Sequence, residues 1–356
     1  MKAIPKDSDV LYWQSKAMDR ASSGISVESG CFGLSGQQNL REKLQRIRHR
    51  EDKGRHSIME WLDEEGIGKS LQKEIEKFRA AYEGEPLPAD RCVAEKPQFH
   101  YYGKNIMEKA VCAILAGKNL LLAGPKATGK NVLAENLAYI FGRPFWNISF
   151  HINVDAAYLI GTDTFDGDKV VFRPGPICQC AKYGGFGILD EINMAKNEAM
   201  AVLHATLDYR RVLEVSGYER IHLHPAARFI GTMNYGYAGT RELNEALGSR
   251  FVVLQMPTIQ EKQLDKLLKR EYPEMSHSMA KQLEAIFYEL DEKAVSAEIS
   301  PRAVDLRGLL DAVALMRLGM VPLEAMDMGM TNKVFDPVER AIVHDVIAAR
   351  IPKAWK

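Results

Sequence analysis

The chain has 356 residues, 46% hydrophobic and 26% charged, with Lys+Arg and Asp+Glu balanced at 47 each. This is a globular composition, enough for two or three compact units of roughly 100–200 residues, and it excludes collagen-like, low-complexity and disordered classes. Zero net charge excludes a chain-wide basic field for nucleic acid, no apolar run approaches the ~20 residues that span a bilayer, and five scattered cysteines do not form a disulfide scaffold. The opening residues lack the apolar core of a signal peptide, so a soluble cytoplasmic protein without a membrane partner is expected.

In chain order, residues 1–90 are polar and mostly helical in pattern, predicting an N-terminal helical extension. The stretch 41–56 holds seven Lys or Arg against three acidic residues. With no aromatic platform interleaved, it reads as a solvated helix rather than a nucleic-acid contact. In 69–82, Leu71, Ile75, Phe78 and Tyr82 recur at three- and four-residue steps, the spacing of an amphipathic helix. The segment 83–90, with two prolines and a glycine, reads as a linker.

Over 91–257 the pattern changes to short apolar strands alternating with amphipathic helices, at Asn119–Ala123, 144–150, 186–189, 228–232 and 251–256. That rhythm predicts an α/β fold, a three-layer parallel sheet covered on both faces. The first strand runs into Gly124-Pro125-Lys126-Ala127-Thr128-Gly129-Lys130-Asn131, and a helix is predicted over 131–140. Strand, glycine loop and helix in that order form a phosphate loop. Backbone N–H groups converge on phosphate oxygens at a helix N-terminus, Gly124 and Gly129 permit the close approach, and Lys130 supplies a compact charge to the β- and γ-phosphates. The last position, normally a Ser or Thr whose hydroxyl ligates Mg²⁺, is Asn131, whose carboxamide oxygen is a longer, neutral ligand. Upstream, Gln98-Phe99-His100-Tyr101-Tyr102 leaves two readings open, a ring beside adenine or packing at the sheet edge.

A hairpin is predicted over 162–172, turning at Asp166-Gly167-Asp168, and a second over 211–224, turning near Ser216-Gly217. Between them, Cys178 and Cys180 lie on an apolar helix with no second pair at zinc-like spacing, so they read as core thiols. The strand 186–189 ends in Asp190-Glu191, sixty residues after Lys130. Downstream of a phosphate loop, the first carboxylate holds the Mg²⁺ shell and the second polarises the attacking water. His222 and His224 alternate on a strand without a third ligand and read as a solvated face. The strand 228–232 leads to Asn234, whose amide either orients water or caps a turn. After Pro257 the strands stop, and helical periodicity over 258–356 predicts a lid domain.

From about Tyr102 onward, the segments GPKATGKN, ILDEINMAKNEAMAVLHATLD, FIGTMN, LNEALGSRF and ISPRAV resemble, in order, a MoxR-type AAA+ ATPase allied to the dynein-related branch. The resemblance implies Mg²⁺-dependent ATP hydrolysis in a homo-oligomeric ring, commonly a hexamer, that remodels or matures partner proteins, often with a von Willebrand factor A-domain protein as adaptor. Lys130 resembles the Walker A lysine, Asp190 the Walker B aspartate, Glu191 the water-activating glutamate and Asn234 sensor 1. Arg250 resembles the arginine finger that reaches a neighbouring subunit, with Arg241 the competing candidate, and Arg302 resembles sensor 2. Asn131 motivates a rival reading, a nucleotide-gated scaffold with little turnover. A nucleic-acid-stimulated motor is the weakest rival because the composition is neutral.

Overall fold

The computed structural model describes residues 58–352, apart from 216, 219 and 236–242. The basic run 41–56 and Arg241 therefore lie outside the described residues. Nine strands are described: β1 (Asn119–Ala123), β2 (Phe145–Ser149), β3 (Gly161–Asp166), β4 (Lys169–Pro174), β5 (Phe186–Asp190), β6 (Val212–Leu213), β7 (Ile221–His222), β8 (Arg228–Met233) and β9 (Phe251–Gln255). Five of them form one sheet in the order β2-β5-β8-β1-β9, and every neighbouring pair is parallel. Ala123 pairs with Met233, and Ser149 with Asp190, so the carboxyl ends of β1, β5 and β8 share one edge. That edge is where ligands bind in open parallel sheets.

Both faces of the sheet are covered at its centre, which is why β1, β5 and β8 are buried along nearly their whole length, whereas the edge strand β2 alternates. Leu120 and Leu122 face one way, against the helices Lys104–Leu115 and Lys130–Phe141. Leu121 faces the other, with Ile148, Leu189 and Phe229, against Pro176–Tyr183 and Asn197–Thr206. The predicted helix forms over Lys69–Ala81, and Ile58, Trp61, Leu62 and Ile75 join the same core cluster as the phosphate-loop helix. The described part of the extension, from Ile58, thus packs as part of the core.

At the opposite edge of the sheet, three arginines fill the last-turn carbonyls of three helices. Arg79 donates to Tyr139 and Ile140 (3.0 and 2.9 Å), Arg143 to Tyr183 and Gly184 (both 2.7 Å), and Arg228 to Ile114 (2.9 Å). Helix-end carbonyls have spare acceptor capacity even where a capping N–H reaches them, as Gly142 does Tyr139 and Gly117 does Ile114, and the helix dipole is negative there, so a cation is favoured. Glu85, from the predicted linker, pairs with Arg143 at 3.2 Å.

The two hairpins, β3–β4 and β6–β7, stand off the main sheet. They are joined to each other: the Tyr218 hydroxyl donates to Asp163 at 2.5 Å, and the Phe172 and Tyr218 rings lie 4.7 Å apart. Beyond β9 the chain is helical, as Glu261–Glu271, His277–Val295, Leu306–Arg317, Pro322–Gly329 and Pro337–Arg350, around its own apolar cluster. The side chains of Ser276, Asp305 and Asp336 cap three of these helices. Gly308 and Gly329 bring two of them into backbone contact, since a Cβ at Gly308 would lie 2.2 Å from the Gly329 carbonyl oxygen. Among the described residues, no helix is long and apolar enough to cross a membrane.

Candidate functional site

The site begins where β1 ends. Gly124 donates its N–H to the Met233 carbonyl (3.2 Å), and a Cβ on it would lie 2.5 Å from the Met256 carbonyl oxygen, so the loop leaves the sheet through a gap that admits only glycine. Ala127 (φ 60°) and Gly129 (φ 79°) are left-handed, turning the loop onto the helix Lys130–Phe141. The helix N-terminus faces the cavity, the arrangement that binds phosphate. The Lys130 ammonium donates to the carbonyls of Gly124 (3.0 Å) and Pro125 (2.5 Å) and to Thr128 Oγ1 (3.3 Å). Burial lowers its pKa to about 8, against the opposing pull of Asp190 and Glu191. A buried ammonium whose hydrogen-bond partners are all neutral oxygens is an electrostatically unfinished site, and an anion completes it.

The acidic pair sits at the carboxyl end of β5. Thr232, on the adjacent β8, donates its hydroxyl to Asp190 Oδ1 at 2.6 Å and accepts the Glu191 N–H at 3.2 Å. Asn234 Nδ2 donates to Glu191 Oε1 at 3.1 Å, so the carboxylate is held from the strand that also carries Thr232. Glu191 is itself left-handed (φ 53°), a conformation that costs a non-glycine residue about 1–2 kcal/mol. Ala127 and Glu191 are two of the four non-glycine residues with positive φ among the described residues, which concentrates backbone strain at this cavity.

The cavity has a volume of about 660 Å³, and its lining includes Lys126 to Val132, Asp190, Glu191, Thr232 and Asn234 from the core. From the lid it is lined by Pro301, Arg302, Val304, Asp305, Arg307 and Lys333. Of the expected site residues, the loop residues from Lys126 to Asn131 and Asp190, Glu191, Asn234 and Arg302 therefore meet in one space. Gly124 and Pro125 shape it through the Lys130 contacts. Arg250 does not line it: its guanidinium donates to the carbonyls of His204 (3.2 Å) and Ala246 and lies 3.7 Å from Asp208.

Tyr101 and Tyr102 are both buried; Tyr101 packs beneath Gly129, where a Cβ would lie 3.3 Å from its ring, and Tyr102 joins the lid core. Cys178 and Cys180 are buried thiols, Cys178 pushed up to about 11 by burial and Cys180 further. His222 is exposed on β7, whereas His224 turns away to meet Glu85 at 3.2 Å. Among the described residues no cluster of three or more His, Cys, Asp or Glu could hold a metal. A cation at Asp190 and Asn131 would therefore need phosphate oxygens and water to complete its shell, as Mg²⁺ in nucleotide sites does.

Thr232 was not anticipated, although it is the one hydroxyl residue inside the apolar run of β8 and shares the period of Asn234. Arg307 and Lys333 carried no motif at all, because only tertiary packing of the lid brings them to the cavity.

Comparison with known proteins agrees with this geometry. Residues 119–251 match the AAA domain of the dynein-related subfamily. The chain is 30% identical over 284 residues to the uncharacterized protein YojN of Bacillus subtilis, covering 78% of this chain and 93% of that one. It is 31% identical over 252 residues to an uncharacterized protein of Staphylococcus saprophyticus, covering 68% and 95%. Among solved structures, a mutant of RuvB from Thermotoga maritima aligns at 16% identity over 70% of this chain and 71% of that chain, with a TM-score of 0.42. The match of residues 119–251 to a dynein-related AAA domain, through the phosphate loop, the acidic strand end and β8, together with relatives covered nearly end to end, places the chain in the AAA+ family.

Proposed function

We infer that the protein is a MoxR-type ATPase that binds ATP with Mg²⁺, hydrolyses it, and acts as an oligomeric ring in the cytoplasm to remodel or mature partner proteins. The observation that carries this reading is the meeting, in one cavity, of the buried Lys130 ammonium, the Thr232-held Asp190, the Asn234-held Glu191 and the lid guanidinium of Arg302. The loop N–H groups and Lys130 bind the phosphate chain. Asp190 and Asn131 would hold Mg²⁺, which when bound neutralises charge on the phosphate oxygens. Glu191, oriented by Asn234, takes the proton of the attacking water. Arg302 closes the lid onto the phosphates.

Arg250 lies outside its own chain's cavity, which supports its reading as a finger that completes a neighbour's site. The ring and the von Willebrand factor A-domain partner rest on the resemblance to MoxR-type proteins. Asn131 favours a second reading, a nucleotide-responsive scaffold with little turnover.

The test is steady-state ATP hydrolysis across a protein-concentration series, with Glu191→Gln and Arg250→Ala alongside. Specific activity that rises with concentration and is lost in both variants supports the oligomeric ATPase. Tight ATP binding with a rate that Glu191→Gln leaves unchanged refutes it in favour of the scaffold.

A further inference from the structure

The cavity has two walls of different origin. The core wall carries the phosphate loop, Lys130, Asp190 and Glu191; the lid wall carries Arg302, Asp305, Arg307 and Lys333. The resemblance accounts for Arg302 alone. Arg307 stands in the first turn of the lid helix Leu306–Arg317, where its backbone N–H is capped by Asp305 at 3.1 Å. Its side chain is exposed, and among the described residues its guanidinium has no ion-pair partner. A cation in the first turn faces the positive end of the helix dipole, which the Asp305 carboxylate at the N-cap offsets, and the guanidinium itself is left to meet an anion in the cavity.

Lys333, from the short turn Thr331–Lys333, reaches the same wall past Gly308, where a Cβ would lie 3.0 Å from its ammonium. It is shared between Asp305 (2.8 Å) and Asp311 (3.7 Å). On the lining itself, three lid cations meet the single carboxylate of Asp305. With Asp311 counted, the wall keeps a net positive charge, and a polyanion between it and Lys130 is attracted from both sides.

We propose that Arg307 and Lys333 contact the phosphate chain of the bound nucleotide from the lid side, opposite Lys130, so that lid closure is driven by three lid cations. This rests on the nucleotide-binding reading above and adds two contact residues to it. Arg307 supplies a planar fork able to grip two phosphate oxygens, and Lys333 a point charge released from Asp305 as the phosphates arrive.

The experiment is titration of the full-length protein with a fluorescent ATP analogue, comparing Arg307→Ala, Arg307→Lys, Lys333→Gln, Lys130→Ala and the exposed lid control Lys262→Ala. Arg307→Ala is expected to weaken binding about tenfold, the scale of one charge-assisted hydrogen bond. Arg307→Lys recovers part of the loss, Lys333→Gln resembles Arg307→Ala, and Lys262→Ala matches the wild type. Because Arg307 is exposed, its variants test the idea even if Lys333→Gln loosens the lid, which a thermal melt would register. Wild-type affinity in Arg307→Ala, alongside lost binding in Lys130→Ala, overturns the lid contacts and leaves the phosphate loop standing. Wild-type affinity in Lys130→Ala overturns the nucleotide reading itself and the lid contacts with it.

Discussion

Replacing Thr232 by Val isolates the contribution of a single hydroxyl. Val has nearly the same shape, so the packing of β8 between β5 and β1 is retained. Two hydrogen bonds disappear: the 2.6 Å donation to Asp190 and the 3.2 Å acceptance from the Glu191 N–H. A hydrogen bond to a charged group contributes about 1.5–3 kcal/mol and a neutral one about 1 kcal/mol. Asp190 is half-buried, so the lower end applies, and the loss comes to about 2.5 kcal/mol. For a chain of this size, that is a fall in Tm on the order of 5 °C. The functional loss is larger than the loss of stability, because Thr232 fixes both carboxylates relative to Lys130, and a misplacement of order 1 Å costs about a hundredfold. ATP hydrolysis by Thr232→Val is therefore expected to show kcat falling by that order while KM changes little. Thr232→Ser, which keeps the hydroxyl and loses a methyl group at about 1 kcal/mol, should retain most of the rate. Equal activity in Thr232→Val and the wild type would refute the positioning role, as would a Thr232→Ser variant as slow as Thr232→Val.

At Gly124, an alanine Cβ would lie 2.5 Å from the Met256 carbonyl oxygen and 2.9 Å from its Cβ; Gly124→Ala is expected to cost about 2 kcal/mol of stability and to abolish ATP binding, read by thermal melt and titration. Lys130 titrates near 8, and a bound polyanion favours its charged form. Affinity should therefore be full below that pH and fall by up to about tenfold per unit above it; a flat profile from about pH 7 to 9.5 would contradict the assignment. His100 is held near 4 by burial and by Arg270 and Lys96, so its stabilising contribution is present above its ordinary value of 6.5 and is lost as pH falls toward 4. His100→Phe should flatten the acid limb of a pH series of melts.

The sheet was legible in the sequence because each strand is an apolar run bounded by turn residues, and the run at Asn119–Ala123 is followed by a loop that only one chemistry requires. Both hairpins were legible from their turns. That Lys130, Asp190, Glu191, Asn234 and Arg302 line one cavity was expected from a motif and an ordered set of segments that fix their spacing. Arg307 and Lys333 were not, since a charged residue on a lid helix looks the same whether it faces solvent or phosphate. The packing of the first described residues escaped notice for a related reason. Ile58, Trp61 and Leu62 are too few to show a period, and their burial depends on the surface presented by Lys104–Leu115 and Lys130–Phe141. The arginines that cap three helix ends lie far from those ends in sequence, and no local signal pairs them.

The backbone contact between Gly308 and Gly329 bears on how force leaves the cavity. Helices separated by side chains can slide as those side chains change rotamer, but two that touch main chain to main chain have no such slack. Arg302 and Arg307 lie at the start of one of these helices, and Lys333 follows the other. A shift at the phosphate end would then be passed along the helix Leu306–Arg317 to its far end, where Leu318 stands 86% exposed. Two glycines at the crossing make this a stiff joint, and adding a side chain at either one would push the helices apart.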